Sequence, residues 1–452
     1  MIKTSKKTLA VAIASVAMAS GAVVAQDLHF EVGSGDFSWE WMDEFSGMDL
    51  SGQTVTITGP WLGGEQESIR RVLAYFEAAT GANVDYSGSD SFEQQIQVDT
   101  QAGSPPNMAI FPQPGLAEDL ARQDLLVPLG SDAADWVREN FSDGDGWADL
   151  GTFANSSGEE EFYGVMYRVD LKSLIWYSPD NFADYGYEVP TSMEELIALS
   201  DQMVADGETP WTIGLGSGAA TGWPATDWVE DLMLRLHEPE VYDAWVNNEI
   251  PFNDPRVVEA IEVFGDFAKN PDYVAGGVAA VATTDFRDAP QALFDVPPRA
   301  FMHRQANFIP AFFPDDIVVG EDVDFFYMPS YDGKDLGDPV LSAGTMMAIT
   351  RDSNATRVLM QFLQTPLAHE LWMAQGEFLT VHLGANVDTY ASDVLRRQGE
   401  ILLNADTVRF DASDMMPAAI GAGTFWTGMV DFVGGASAQE VADDIQRSWE
   451  QM

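Results

Sequence analysis

The chain has 452 residues, with 22 basic against 72 acidic side chains, a formal net charge of −50 at pH 7 and a pI near 4.1. The length suits two domains, and 46% hydrophobic residues with only 21% charged supply enough apolar material for folded cores, so the acidity does not signal disorder. So negative a chain repels phosphate, which argues against nucleic acid or an anionic membrane surface as a partner, and the absence of cysteine removes disulfides, thiolate metal sites and thiol nucleophiles.

At the N-terminus, Lys3, Lys6 and Lys7 precede an apolar run from Leu9 to Val24, and Val23-Val24-Ala25 fits a small-residue cleavage site. Residues 1–25 therefore read as an export signal cleaved near Ala25. The run is broken by Ser15, Ser20 and Gly21, which makes it a poor membrane span. No cysteine stands at the cleavage point to carry a lipid, so a soluble, periplasmic mature chain is expected. Only Lys172, Lys269 and Lys334 remain beyond the signal. Such a surface suits salty surroundings, where screening shortens self-repulsion to ~3 Å near molar salt, or it simply keeps a secreted protein soluble.

After an aromatic-rich stretch from Phe30 to Phe45, Thr54–Thr58 reads as the first strand, ending at Gly59-Pro60-Trp61. Ile69, Val72, Leu73 and Phe76 then share one helical face, and Gly81 stops that helix before a second strand near Val84. Strand, helix and strand in this order predict a parallel sheet. Met108–Phe111 is a further buried strand, Leu116–Leu126 a helix, and Tyr163–Tyr177 a longer β-rich run. Helix starts are marked by Ser192 with Glu195, Asp254-Pro255, Thr365-Pro366 and Ser437 with Glu440. Helices and short strands alternate throughout, so the fold class is α/β.

The five histidines never approach metal-site spacing, and no HExxH, GxSxG, P-loop or complete GxGxxG occurs, so no metal, cofactor or catalytic set is implied. Asp143, Asp145 and Asp149 resemble part of a calcium loop that lacks the turn glycine and the closing Glu, and read as a solvated turn. A glycosidase needs only two nearby carboxylates, which sequence spacing does not reveal, so that alternative stays open. The positive signal is tryptophan beside Gly and Pro: Trp61, Trp211, Trp223, Trp228 and Trp426. An indole pairs a broad apolar face with one polar handle, which suits a sugar ring; each is otherwise a partly buried core residue.

Several segments, in order, resemble the extracellular solute-binding proteins of bacterial ABC importers, in the maltose-binding-like group and its α-glucoside-binding type. They are Thr54–Trp61 with the helix ending Phe76-Glu77 and Thr80-Gly81; Tyr163–Tyr177 followed by Gly186 and Pro190-Thr191; Val340–Gly344; and Gly423–Trp426 with the final helix to Trp449. The resemblance implies an α/β fold of two lobes with a central ligand cleft. It implies an N-terminal lobe from 26–168 and 345–382, a C-terminal lobe from 169–344 and 383–452, and hinge crossings near Arg168–Lys172, Val340–Gly344 and Thr380–Ala385. The implied function is non-enzymatic capture of an α-glucoside such as maltose, trehalose or sucrose, delivered by a monomer to an ABC permease. A polyamine or other small solute is the alternative ligand. Carried over residue by residue, Trp426 is a sugar-stacking position and Asp170 an acidic one at the first crossing. Trp61, Glu65 and Gln113 fall in first-lobe contact loops, and Trp223 and Asp227 in a second-lobe loop. Where relatives carry Gly-Pro-Trp this chain has Ala300–Gln305, so Arg304 or His303 is expected at the ligand instead.

Overall fold

The computed structural model describes residues 28–452 except Asp143 and Asp406. The expected export signal and the first acid of the calcium-like segment lie outside the described residues. Asp145 and Asp149 sit in a short helix, Gly144–Asp149, rather than a turn, and Asp145 lies 3.4 Å from Arg138.

The strands run β1 (Thr54–Gly59), β2 (Asn83–Gly88), β3 (Met108–Phe111), β4 (Thr152–Ala154), β5 (Glu160–Phe162), β6 (Gly164–Leu171), β7 (Leu174–Tyr177), β8 (Met302–Arg304), β9 (Asp324–Tyr327), β10 (Pro339–Ile349) and β11 (Thr407–Phe410). The main sheet has the order β11-β10-β3-β1-β2, with β6 also pairing β10. β1 is parallel to both β2 and β3, as the strand–helix–strand order requires. The connecting helix, Gly63–Thr80, buries Ile69, Val72, Leu73 and Phe76 and ends on Gly81 in the left-handed region. The helix starts read from sequence hold. Ser192, Asp254, Thr365 and Ser437 all accept a backbone N–H at their N-caps, and Ser437 with Glu440 completes a capping box.

Two lobes follow from where the cores lie. One core gathers residues from Met42 to Val169 and again from Met346 to Val381. The others gather residues from Leu171 to Leu341, and then Leu379 and Val394 to Ile445. β6 and β10 run antiparallel from one lobe into the other, with Leu171 opposite Ser342 and Val169 opposite Gly344, and every residue of both strands is buried. The first two expected crossings are therefore one two-stranded ribbon. The third lies later than Thr380–Ala385. That segment is pinned to the first lobe by Ser142 N–H to Val381 O and Leu383 N–H to Asn140 O, whereas Val394 and Leu395 pack in the second. Backbone bonds to the Phe141 segment decided this, and nothing local in 380–385 signals them.

With 72 acids against 22 bases, self-repulsion is a term salt must relieve. The melting temperature should rise on going from 0.05 to 1 M NaCl, most steeply at the low end; a flat profile would show that the charge does not strain the fold.

Candidate functional site

A cavity of about 800 Å³, counting its open mouth, lies between the lobes where the ribbon passes. Seven of the eight residues expected at the ligand line it: Trp61, Glu65, Gln113, Asp170, Trp223, Asp227 and Trp426.

Each is positioned by local structure. Trp61 follows β1, where the Tyr86 hydroxyl accepts from its N–H (2.9 Å) and donates to its carbonyl (3.1 Å). Glu65 is in the first turn of helix Gly63–Thr80, and Gln113 is the N-cap residue before Pro114. Arg168, Asp170 and Lys172 alternate along β6 and its end, so the pleat turns all three to one side, and all three line the cavity. Trp223 and Asp227 stand four apart on helix Trp223–Leu236. Gly222, at φ +119°, precedes them. A side-chain carbon there would lie 2.2 Å from the Trp426 carbonyl, so only glycine lets these two segments meet.

Electrostatically the site has two poles. On the first-lobe side the Arg168 guanidinium bonds Glu65 at 2.7 Å and pairs with Asp170 at 3.0 Å, over the faces of Trp61, Phe308 and Trp372. Burial pushes the Glu65 carboxyl up, against the pull of Arg168. On the second-lobe side the Lys172 ammonium donates to Asp227 at 2.8 Å and Asp411 at 2.6 Å. Burial alone would lower the lysine, but its two carboxylates outweigh it and hold it well above the ordinary value. Asp411, which burial would raise, is held down to about 2 chiefly by Lys172. Glu230 completes a trio with Asp227 and Asp411 whose oxygens lie within 4.8 Å of one another, and Lys172 supplies the positive charge at that trio.

Arg304, the eighth expected residue, does not reach the cavity. Its guanidinium bonds Asp231 at 2.9 Å and lies 3.6 Å from Asp227, and Asp231 also pairs with buried Arg235. It is a buried brace behind Asp227, the second cation beside that carboxylate after Lys172. His303 is likewise buried, its Nδ1–H donating to the Thr212 carbonyl (2.8 Å), with burial lowering its ring to about 4. Trp211 and Trp228 pack on each other and on Phe267 in the second-lobe core, so they are core residues and not platforms.

Sequence reasoning missed Phe286, Arg287 and Phe308 in the wall, and Glu93 and Asp414. The alternation of Arg168, Asp170 and Lys172 was a usable signal for Lys172; the others are brought in from segments distant in the chain. Among the uncharged lining side chains that the structure describes, four buried polar atoms have no protein hydrogen-bond partner: Trp61 Nε1, Trp426 Nε1, Gln113 Oε1 and Thr345 Oγ1. Aromatic faces flanked by paired charges and by free donors and acceptors fit a small polyhydroxylated molecule.

A family model described as bacterial extracellular solute-binding protein matches residues 62–370. The chain is 54% identical, over 98% of its length and 99% of the relative's, to the alpha-glucosides-binding periplasmic protein AglE of Rhizobium meliloti (strain 1021). It is 43% identical, over 89% of its length and 93% of the relative's, to the osmoprotective compounds-binding protein GgtB of Synechocystis sp.. Among solved structures, the bacterial solute receptor AcbH superposes with a TM-score of 0.74 at 20% identity, covering 89% of this chain and 98% of that one. Maltose-bound T. maritima MalE3 superposes with 0.67 at 16%, covering 88% and 99%. With an inter-lobe cavity at the shared ribbon and matches of this extent, the chain belongs to the bacterial extracellular solute-binding protein family.

Proposed function

We propose that this protein captures an α-glucoside in the inter-lobe cavity and delivers it to the permease of an ABC importer, acting as a monomeric, non-enzymatic receptor in the periplasm. The observation that carries the reading is near-full-length identity to AglE, joined to a cavity whose lining pairs aromatic faces with carboxylates. Trp426, Trp61 and Trp223 supply stacking faces, and Glu65, Asp170, Gln113 and Asp227 face the hydroxyls. The lobes divide near residues 168 and 344 and, by packing, between Asn386 and Val394, so the β6/β10 ribbon serves as hinge and ligand favours the closed form.

Titration calorimetry against maltose, trehalose and sucrose tests the assignment: saturable one-to-one binding of at least one is expected, and none with any of them overturns it. GgtB and the acidic lining support a second reading, so small osmolytes and spermidine belong in the same panel. Glucose release from any of these sugars by the purified protein would contradict the receptor role.

A further inference from the structure

The three cations lining the cavity already have carboxylate partners: Arg168 has Glu65 and Asp170, Lys172 has Asp227 and Asp411, and Arg287 has Asp285. Glu93 and Asp414 also line it, and among the described residues no Lys, Arg or His forms an ion pair with either. They come from opposite lobes. Glu93 lies in the first turn of helix Phe92–Gln101, and Asp414 in helix Ala412–Met415 just after β11.

The lobes are in contact at this point. A side-chain carbon on Gly115 would lie 2.1 Å from the Met416 carbonyl, and the Ala418 N–H donates to Asp119 at 3.0 Å. Gln113 lines the same cavity; its buried side chain hydrogen-bonds Glu93 while its Oε1 has no donor. The inter-lobe cavity thus holds two carboxyl groups and an unpartnered acceptor, with no cation ion-paired to either carboxyl among the described residues.

We propose that the cavity takes up a proton together with its ligand, held by Glu93 and Asp414 as the lobes close. The proposal rests on the reading of the cavity as the ligand cleft. The charged groups facing the pair are Asp90 beside Glu93, and Asp411, Lys172 and Asp227 beside Asp414, with Asp119 on the adjoining helix. Burial raises the Glu93 carboxyl to about 7, with Asp90 adding and Gln113 opposing. Burial, then Asp411, raises Asp414 well above the ordinary value, and Lys172 offsets this in part. In an open cleft Glu93 returns to water and to the ordinary carboxylate range. The closed form then binds more protons than the open one, so affinity rises as pH falls through about 7 and levels off once the open form is protonated too.

The test is calorimetry with neutral maltose and trehalose at pH 6 and pH 8, repeated in phosphate and Tris to count protons. Binding about tenfold tighter at pH 6, with net proton uptake at pH 7, is expected. Glu93→Gln, whatever its affinity, should lose the slope, and Asp414→Asn is the second variant should the first misfold. Glu377, pushed up to about 8 by burial, Asp227, pushed to about 7, and Glu230, pushed well above the ordinary value, are the rival proton acceptors, so a slope kept by both variants overturns the proposal. Binding of a glucoside with equal affinity at both pH values overturns it alone. No glucoside binding at either pH overturns the glucoside reading and this proposal with it.

Discussion

Lys172→Met is expected to lower stability by about 3–5 kcal/mol, because it removes the ammonium shared by two buried carboxylates and leaves Asp411 with no cation and Asp227 with Arg304 alone, 3.6 Å away. The residue is only 5% exposed, so water does not replace its ammonium. The pH dependence carries the distinguishing sign. In the wild type Asp411 has a depressed value near 2, so its contribution is present at neutral pH and lost only as pH falls through about 2. In the variant Asp411 loses its cation and Asp227, already pushed by burial to about 7, keeps only Arg304, so both rise and the folded form binds more protons than the wild type does. The variant should therefore gain stability on going from pH 8 to pH 5, relative to wild type. Denaturant unfolding at several pH values measures this. A loss under 1 kcal/mol with no change of slope would show that the ammonium does not compensate the pair.

Trp426→Ala should weaken glucoside binding by at least tenfold while the fold survives. Its indole lines the cavity with an unpartnered Nε1, and stacking on a sugar is worth on the order of 1 kcal/mol beyond area burial of ~25 cal/mol per Å². The neighbouring Phe425, packed against Trp245 and Phe252, is the internal control: its truncation should cost roughly 3–5 kcal/mol of stability, as expected of core. Affinity and melting measured on both variants separate the two roles. Unchanged affinity in a folded Trp426→Ala protein would remove the platform assignment.

The physical logic of the site is that charge is pre-paired. Arg168 and Lys172, on one side of one strand, each hold two carboxylates in place before any ligand arrives, and the aromatic faces beside them complete the wall. Oriented acceptors of this kind lose little freedom on binding hydroxyls, which is where preorganisation contributes affinity.

What the sequence by itself determined is what rests on neighbours in the chain. The β1–helix–β2 unit was legible because a period-two run and a 3.6-period face are separated by a glycine stop, and the helix starts at Ser192, Asp254, Thr365 and Ser437 because a cap needs only the next three residues. Seven of eight expected cavity residues came from the order of the family-like segments in the chain. Only tertiary structure decided the rest. Arg304 looked like a ligand contact and became a brace, because Asp231 and Asp227 approach it from another helix. Trp211 and Trp228 sit beside turn residues like the cavity tryptophans, yet Phe264 and Phe267 of a later helix bury them. The third crossing is fixed by backbone bonds to a segment some 240 residues earlier. Glu93 and Asp414 are 321 positions apart and carry no local signal, because a carboxyl's environment is set by which groups the fold desolvates beside it.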